Sequence, residues 1–172
     1  MHHLARITAK GKGKQYEGAM IIKAVWQKED LPDNDEPEII KENRKMLVCK
    51  AIYHGESLTV TMLLNYDGTV KKVIKNHNEY DIKLCQSFTR EDVWEFVDSV
   101  GDTNPIHQGN QPVVPGLLLM EYIKNKLPTS VKKLELSFRN AIFANEVFKL
   151  AIDGNNFKLW GKRDFVTGNF YE

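Results

Sequence analysis

Two stretches within residues 88–127 have the apolar spacing of helices, whereas apolar and polar residues alternate over much of the remaining chain. The first stretch carries four apolar residues on one helical stripe, at Val93, Phe96, Val97 and Val100. Thr89 and Asp92 make a capping-box pattern before this stripe, and Gly101 follows it. An amphipathic helix is therefore predicted between them.

A second helix is predicted to begin near Pro115, because proline is tolerated in the first turn of a helix, and to end before Pro128. Its apolar residues cover most of its circumference: Leu117, Leu118, Leu119, Met120, Tyr122, Ile123 and Leu127. Such a helix is stable only when protein surrounds it. The sequence thus predicts one buried central helix.

Alternating apolar residues and turn signals predict strands on both sides of these helices. Residues 4–27 are predicted to form two strands. Further strands are predicted at 45–54, 57–65, 69–75 and 82–87 before the helices, and at 131–143, 147–152, 157–160 and 166–171 after them. Asp67 and Gly68 favour a hairpin turn, and residues 76–81 favour another turn. The predicted class is α+β.

Two polar segments resemble ligand sites but are better explained as surface structure. GKGK at residues 11–14 lacks the Walker spacing and a following helix start, so a hairpin edge protected by lysines is predicted. The acidic, proline-containing residues 29–42 lack the ordered ligands and glycine of a calcium loop. They are predicted to form a surface loop that ends in a helical turn, and no metal site is expected.

The residues that can carry chemistry are concentrated in the sequence GDTNPIH, between the two predicted helices. Asp102 and His107 flank Asn104 and Pro105, a pair that favours a turn and can direct both titratable side chains to one point. The seven residues 108–114 span at most about 25 Å, so His107 must lie near the start of the central helix. Asp102 alone would also be typical of a turn residue without a chemical role. The hypothesis of a reactive pair therefore rests on the joint pattern of Asp102 and His107 with Asn104, Pro105 and the VPG helix start.

The start of the central helix supplies a third chemical group. Free amides near Gly116, together with the positive end of the helix dipole, can bind an oxygen that gains negative charge. A carboxylate and an imidazole beside it can hold and deprotonate water. This combination suits addition of water to a double bond conjugated to a carbonyl, because the amides would stabilise the enolate oxygen.

The run FTxxDVxxFxxxxGDxNPIH, followed by VPGxLL, resembles the MaoC-like (R)-specific enoyl-CoA hydratases. The resemblance covers roughly the second half of the chain. It implies the hotdog fold, in which an antiparallel sheet wraps around a central helix and two hotdogs pair. It implies catalytic roles for Asp102 and His107, and for the amide of Gly116, which would face the thioester carbonyl. Substrate contacts are implied for Asn104, Val114, Pro115 and Leu117.

The predicted elements divide the chain into a strand-rich half, residues 1–80, and a hotdog half, residues 81–172, which carries GDTNPIH. No long apolar helix is predicted in the first half. That half is either a degenerate hotdog that pairs with the second within one chain, or a set of strands that extends one sheet. We favour the degenerate half, because hotdogs bury surface by pairing.

The resemblance implies a lyase that hydrates trans-2-enoyl thioesters to (R)-3-hydroxyacyl thioesters, or catalyses the reverse dehydration, without a cofactor. The substrate would be a thioester of CoA or acyl carrier protein. A non-catalytic acyl-thioester-binding module and a thioesterase are alternatives on the same fold. The segment 108–114 is shorter than in the family, which favours the module. Lysines that are candidates for the carrier phosphates are Lys124, Lys126, Lys132 and Lys133.

Composition points away from nucleic-acid and membrane partners. Of 172 residues, 24 are basic and 23 acidic, and no apolar run approaches the ~20 residues of a membrane span. The N-terminus lacks the apolar core of a signal peptide, so a cytoplasmic protein is expected. Cys49 and Cys85 are then predicted to be reduced, buried thiols. Pairing of hotdogs further predicts a homodimer.

Overall fold

A computed structural model describes residues 1–10, 16–64 and 84–172. The helices in these ranges are α1 (His2–Ala9), α2 (Arg90–Val100) and α3 (Gly116–Lys124), with a 3-10 helix at Pro105–His107. The strands are β1 (Met20–Lys28), β2 (Glu38–Glu42), β3 (Met46–Tyr53), β4 (Glu56–Leu63), β5 (Leu84–Gln86), β6 (Lys133–Phe138), β7 (Phe148–Asp153), β8 (Asn156–Trp160) and β9 (Asp164–Tyr171).

The strands form one antiparallel sheet in the order β2-β3-β4-β1-β6-β9-β8-β7-β5. β1 and β6 join the two halves of the chain, with Ala24 opposite Leu136 and Trp26 opposite Leu134. All four of these side chains are buried. Cross-strand apolar pairs of this kind fix the register of a sheet. Because each pair takes one buried side chain from each half, the two halves share one core.

The connectivity of the first half repeats that of the second. Helix α1 precedes strands that lie in the order β2-β3-β4-β1, and helix α3 precedes strands that lie in the order β7-β8-β9-β6. In each group the last strand in chain order pairs with the first, β4 with β1 and β9 with β6. The two first strands, β1 and β6, pair with each other at the centre of the sheet. The second half has α2 and β5 in addition.

Helix α3 is the buried central helix that the sequence predicts. Leu117, Leu119, Met120 and Ile123 are buried, and the helix packs against β1 and β6 at the junction of the halves. Truncating such a side chain to alanine typically costs about 2–5 kcal/mol of stability. The start of α3 is thus held firmly in the middle of the molecule.

The prediction of two strands in residues 4–27 is wrong for its first part, which is helix α1. Leu4, Ile7 and Thr8 are spaced i, i+3 and i+4 and are buried on one face. The helix packs against β3 and α2, and Arg6 Nη2 donates to the carbonyl oxygen of Ser99 at 2.9 Å. A helix of eight residues is marginal alone, so its stability comes from this packing.

The surface loop predicted at residues 29–42 also needs correction, because its last part is the edge strand β2 rather than a helical turn. All five residues of β2 are exposed, and among the described strands β2 pairs with β3 alone. A fully exposed strand shows no alternation of apolar and polar residues, so no sequence pattern predicts β2. Likewise, the strand predicted at 131–143 ends at Phe138.

The local signals around α2 are confirmed. Thr89 Oγ1 accepts from the amide of Asp92 at 3.1 Å, and Asp92 Oδ2 accepts from the amide of Thr89 at 2.7 Å, which completes the capping box. Gly101 ends the helix with φ 70°. The strands predicted at 45–54, 57–65, 147–152, 157–160 and 166–171 correspond to β3, β4, β7, β8 and β9.

Several predictions fall on residues outside the described ranges: GKGK at 11–14, the Asp67 and Gly68 turn, the strand at 69–75 and the turn at 76–81. The strand predicted at 82–87 corresponds to β5 in its described part. Both cysteines are free thiols, as predicted, but only Cys49 is buried, whereas Cys85 on β5 is exposed.

Candidate active site

Asp102 and His107 come together just after α2. His107 Nε2 lies 3.6 Å from Asp102 Oδ2, and His107 is only 6% exposed. Gly101 turns the chain at the end of α2, and the 3-10 helix Pro105–His107 brings the imidazole back toward the carboxylate. The separation exceeds a good direct hydrogen bond, and one water can contact both groups at such a distance.

The tautomer of His107 is set by the main chain. Nδ1 lies 2.7 Å from the carbonyl oxygen of Val113, to which a neutral imidazole donates from Nδ1. The lone pair then resides on Nε2, which faces Asp102. Burial lowers the pKa of His107 below 6.5, and this effect outweighs the opposing influences of Asp102 and the Val113 carbonyl. A neutral imidazole with its basic nitrogen toward Asp102 is therefore favoured at neutral pH.

Asn104 fixes the loop that carries this pair. Its Oδ1 accepts from the amide of Gly18 at 3.0 Å and from Ile106 at 3.4 Å, and its Nδ2 donates to the carbonyl oxygen of Ala19 at 2.9 Å. The amide of Asn104 donates to Asp102 Oδ1 at 2.9 Å. Both polar atoms of its side chain are thus bonded to protein, and it connects the loop that carries Asp102 and His107 to the segment before β1.

The N-terminus of α3 lies close to the two central strands. A Cβ atom on Gly116 would come within 3.1 Å of the Phe138 ring and 3.6 Å of Ile21 Cβ, so no larger residue fits without displacement. The hydrogen bond from the amide of Leu119 to the carbonyl oxygen of Pro115 at 3.2 Å begins the helix. The amides of Gly116 and Leu117 precede this bond and have no carbonyl of the helix to bind.

One cavity of about 620 Å³ brings these parts together. All seven residues singled out by the sequence line it: Asp102, Asn104, His107, Val114, Pro115, Gly116 and Leu117. Its volume is within the range of small-molecule pockets. The cavity therefore holds a carboxylate, a neutral imidazole and a helix N-terminus in a common space.

The first half of the chain contributes a wall that sequence reasoning missed. Ala5, Thr8 and Ala9 of α1 line the cavity, as do Ile21 of β1 and Met62 of β4. The i, i+3, i+4 spacing of Leu4, Ile7 and Thr8 was the available signal for α1. No local pattern indicates that this helix faces the second half, because that contact depends on the β1–β6 pairing.

The lysines considered for carrier phosphates do not line the cavity. Lys124 donates to Glu56 Oε1 at 3.0 Å, and its Nζ lies 3.7 Å from the centre of the Trp26 ring. Lys133 Nζ lies 2.6 Å from Glu135 Oε1. Lys124 and Lys133 thus have partners within the protein.

Neither a metal centre nor a membrane helix is found in the parts of the chain that the structure describes. No group of three or more His, Cys, Asp or Glu residues in them is arranged to hold a metal ion. None of their helices is long and apolar enough to cross a membrane.

Comparison with solved structures identifies the fold. No family model and no curated protein sequence matches the chain significantly. HtdX from Mycobacterium tuberculosis superposes with a TM-score of 0.60 at 13% identity, over 90% of this chain and 76% of that one. A MaoC-like dehydratase from Phytophthora capsici gives a TM-score of 0.55 at 11% identity, over 95% and 72%.

The chain has the hotdog fold. A further MaoC-like dehydratase superposes over 99% of this chain and 83% of its own, with a TM-score of 0.57 and 11% identity. The predicted α+β hotdog class is confirmed, including its antiparallel sheet and central helix. At these identities the similarity is one of fold, and the chemistry has to be argued from the cavity.

Proposed function

We propose that the chain is a lyase that adds water to trans-2-enoyl thioesters to give (R)-3-hydroxyacyl thioesters, or catalyses the reverse dehydration. The observation that carries the proposal is the shared cavity, where Asp102 and His107 lie 3.6 Å apart and the start of α3 lines the same space. The fold shared with MaoC-like dehydratases supports the same reaction class. The (R) configuration follows from the resemblance of GDTNPIH to the (R)-specific hydratases.

In the hydration direction, a water bound between Asp102 and His107 supplies both added groups. His107 Nε2 is the base that takes a proton from this water, because its Nδ1 is engaged by Val113. The hydroxyl adds to C3 of the substrate as the C2–C3 double bond is converted to the enolate. The proton returns to C2 through the Asp102–His107 pair, so one water is consumed and no other reactant is needed.

The enolate oxygen forms where the helix can stabilise it. The amides of Gly116 and Leu117 carry the positive end of the α3 dipole and have no acceptor within the helix. The loss of one donor to such an oxygen typically costs about 2.7–4 kcal/mol of barrier. The close contact between Gly116 and Phe138 explains why this position suits glycine.

The proposal extends to the organisation of the chain. We propose that residues 1–80 and 81–172 are two hotdog units paired within one polypeptide, the first of them degenerate. The repeated order of helix and strands in the halves supports this, and α1 takes the place of a central helix in the first. The homodimer stays a prediction, which sedimentation equilibrium of the purified chain tests.

Incubation with crotonyl-CoA tests the function. A lyase removes the enoyl absorbance and forms 3-hydroxybutyryl-CoA, which chiral analysis assigns as (R). Release of free CoA thiol, with the enoyl group intact, would instead support a thioesterase. Binding without any product would support the acyl-thioester-binding module. Either of the last two results would overturn the proposal.

A further inference from the structure

The pairing of β1 with β4 contains one extra residue beside the cavity. Ile21 lies opposite Met62 and Lys23 lies opposite Thr61, so Ile22 has no partner in β4. Adjacent residues of a regular strand point to opposite faces of the sheet, whereas a β-bulge of this kind redirects a side chain. Ile21 and Ile22 accordingly both line the cavity, and both are partly exposed. The irregularity therefore adds an apolar residue to the cavity wall.

This apolar wall begins where the thioester carbonyl is proposed to bind. A Cβ atom on Gly116 would lie 3.6 Å from Ile21 Cβ. Helix α3 packs against β1 and β6, and β4 lies on the other side of β1 from β6. Met62 of β4, directly opposite Ile21, therefore continues the wall from the start of α3 into the first half of the chain. Ala9, the last residue of α1, lines the same cavity and is partly exposed.

Polar side chains on the same side of the cavity are engaged within the protein or exposed to water. Thr8 Oγ1 donates to the carbonyl oxygen of Leu4 at 2.9 Å, and the Tyr16 hydroxyl donates to Glu42 Oε1 at 3.2 Å. Glu17, which also lines the cavity, is exposed. The wall thus offers apolar contact to a hydrocarbon chain, and removal of such a chain from water is favourable.

We propose that Ala9, Ile21, Ile22 and Met62 bind the acyl chain of the enoyl thioester, and that the preferred substrates have unbranched chains longer than the four carbons of a crotonyl group. This inference rests on the proposed function and names its substrate class. The cavity volume of about 620 Å³ is within the range of pockets that enclose drug-sized ligands. Room for a longer chain is therefore present beside the reacting groups.

The chain-length preference is measured as kcat/KM for trans-2-octenoyl-CoA divided by kcat/KM for crotonyl-CoA. For the wild type we expect a ratio of at least about ten, because one additional methylene in an apolar pocket can raise kcat/KM about tenfold. Ile22→Ala removes apolar contact and Ala9→Leu fills the space for the chain, so each variant should lower the ratio about tenfold. Both rates come from the same variant, so the ratio does not depend on the fraction of folded protein.

Val25→Ala is the matched control for Ile22→Ala, because Val25 is a partly exposed residue of β1 that does not line the cavity. Its ratio should equal that of the wild type. A wild-type ratio of about one or less, or an unchanged ratio in either variant, would overturn the inference and leave the hydratase intact.

If neither thioester is turned over, the proposed function fails, and calorimetry with the saturated thioesters octanoyl-CoA and butyryl-CoA tests the acyl-binding wall separately. We expect octanoyl-CoA to bind about tenfold more tightly than butyryl-CoA, and Ala9→Leu to abolish this difference. Equal affinities of the wild type for the two thioesters would overturn the inference.

Discussion

Asn104 Nδ2 donates to the carbonyl oxygen of Ala19 at 2.9 Å, and this bond joins the loop that carries Asp102 and His107 in the second half to the segment that enters β1 in the first. The same side chain accepts from the amide of Gly18 and from that of Ile106. The position of Asp102, whose carboxylate accepts from the amide of Asn104, thus depends on the contact between the halves.

Replacing Asn104 by alanine is expected to lower both stability and turnover. The free energy of unfolding should fall by about 1–3 kcal/mol, because the Gly18 amide and the Ala19 carbonyl lose their partner. kcat should fall more than KM rises, because the loop orients the reacting groups. Urea denaturation and steady-state kinetics measure the two effects.

Asn34 supplies the control for this variant. It also links main-chain groups, accepting from the amide of Ile52 at 2.8 Å and donating to the carbonyl oxygen of Lys50 at 3.3 Å, but it does not line the cavity. Asn34→Ala should therefore cost similar stability with an unchanged kcat. Equal losses of kcat in both variants would mean that Asn104 acts through stability alone.

The pH dependence should reflect the buried, neutral His107. Burial lowers its pKa below 6.5, so the base form persists at pH values where an exposed histidine is already protonated. The acid limb of kcat/KM should consequently have its midpoint below pH 6.5. Between that midpoint and pH 6.5 only the unfolded chain binds the proton, so the free energy of unfolding falls as the pH falls through this window. NMR titration of the imidazole gives the pKa directly, and a value above 6.5 would contradict the assignment.

The start of α3 should not accept a side chain. Gly116→Ala places a Cβ 3.1 Å from the Phe138 ring, which must shift by a few tenths of an ångström away from the proposed oxyanion amide. We expect kcat/KM to fall about tenfold. The double variant with Phe138→Leu relieves the contact and should recover most of the activity, whereas an unaffected single variant would place the oxyanion elsewhere.

The free energy of unfolding at acidic pH should depend on Glu29, which lies in the first half of the chain. Lys50 Nζ lies 2.8 Å from Glu29 Oε2, which also accepts from Ser57 Oγ and Gln27 Nε2, and these contacts lower the pKa of Glu29 to about 2. Because the folded-state pKa is depressed, the stabilisation is complete above pH 4.5 and is lost as the pH falls toward 2.

Glu29→Gln should accordingly cost about 1–2 kcal/mol at pH 7 and almost nothing near pH 2, as measured by chemical denaturation across this range. Glu38→Gln on the exposed strand β2 is the control and should have no effect at either pH. A cost for Glu29→Gln that is independent of pH would show that the carboxylate charge is not involved.

The parts of the fold that the sequence predicts are those specified locally. The Thr89 and Asp92 cap, the Gly101 stop and the apolar α3 each depend on neighbours within a turn or two of helix. Helix α1 is missed because its packing on α2, which is distant in the chain, overrides the local strand-like pattern. Strand β2 is missed for another reason: it pairs with the neighbouring β3, but all its residues are exposed, so it shows no apolar alternation.

The candidate site, like the fold, was predictable where local sequence motifs specify it. GDTNPIH and the helix start after Pro115 gave seven residues that share one cavity. The spacing of apolar residues in α1 signals a helix but not its place in the cavity wall, because that place depends on the fold bringing distant segments together. The lysines proposed for phosphates were poor candidates for the same reason, since the partners of Lys124 lie on distant strands.

The most direct test of the central claim is the initial rate at which enoyl absorbance is lost from crotonyl-CoA with Asp102→Asn and with His107→Ala. Each variant should be slower than wild type by about 10²–10⁴-fold, with its near-ultraviolet circular dichroism preserved. Asp33 and His54 form an exposed pair 2.9 Å apart outside the cavity, so Asp33→Asn and His54→Ala should match wild type. Wild-type rates for the Asp102 and His107 variants would contradict the account.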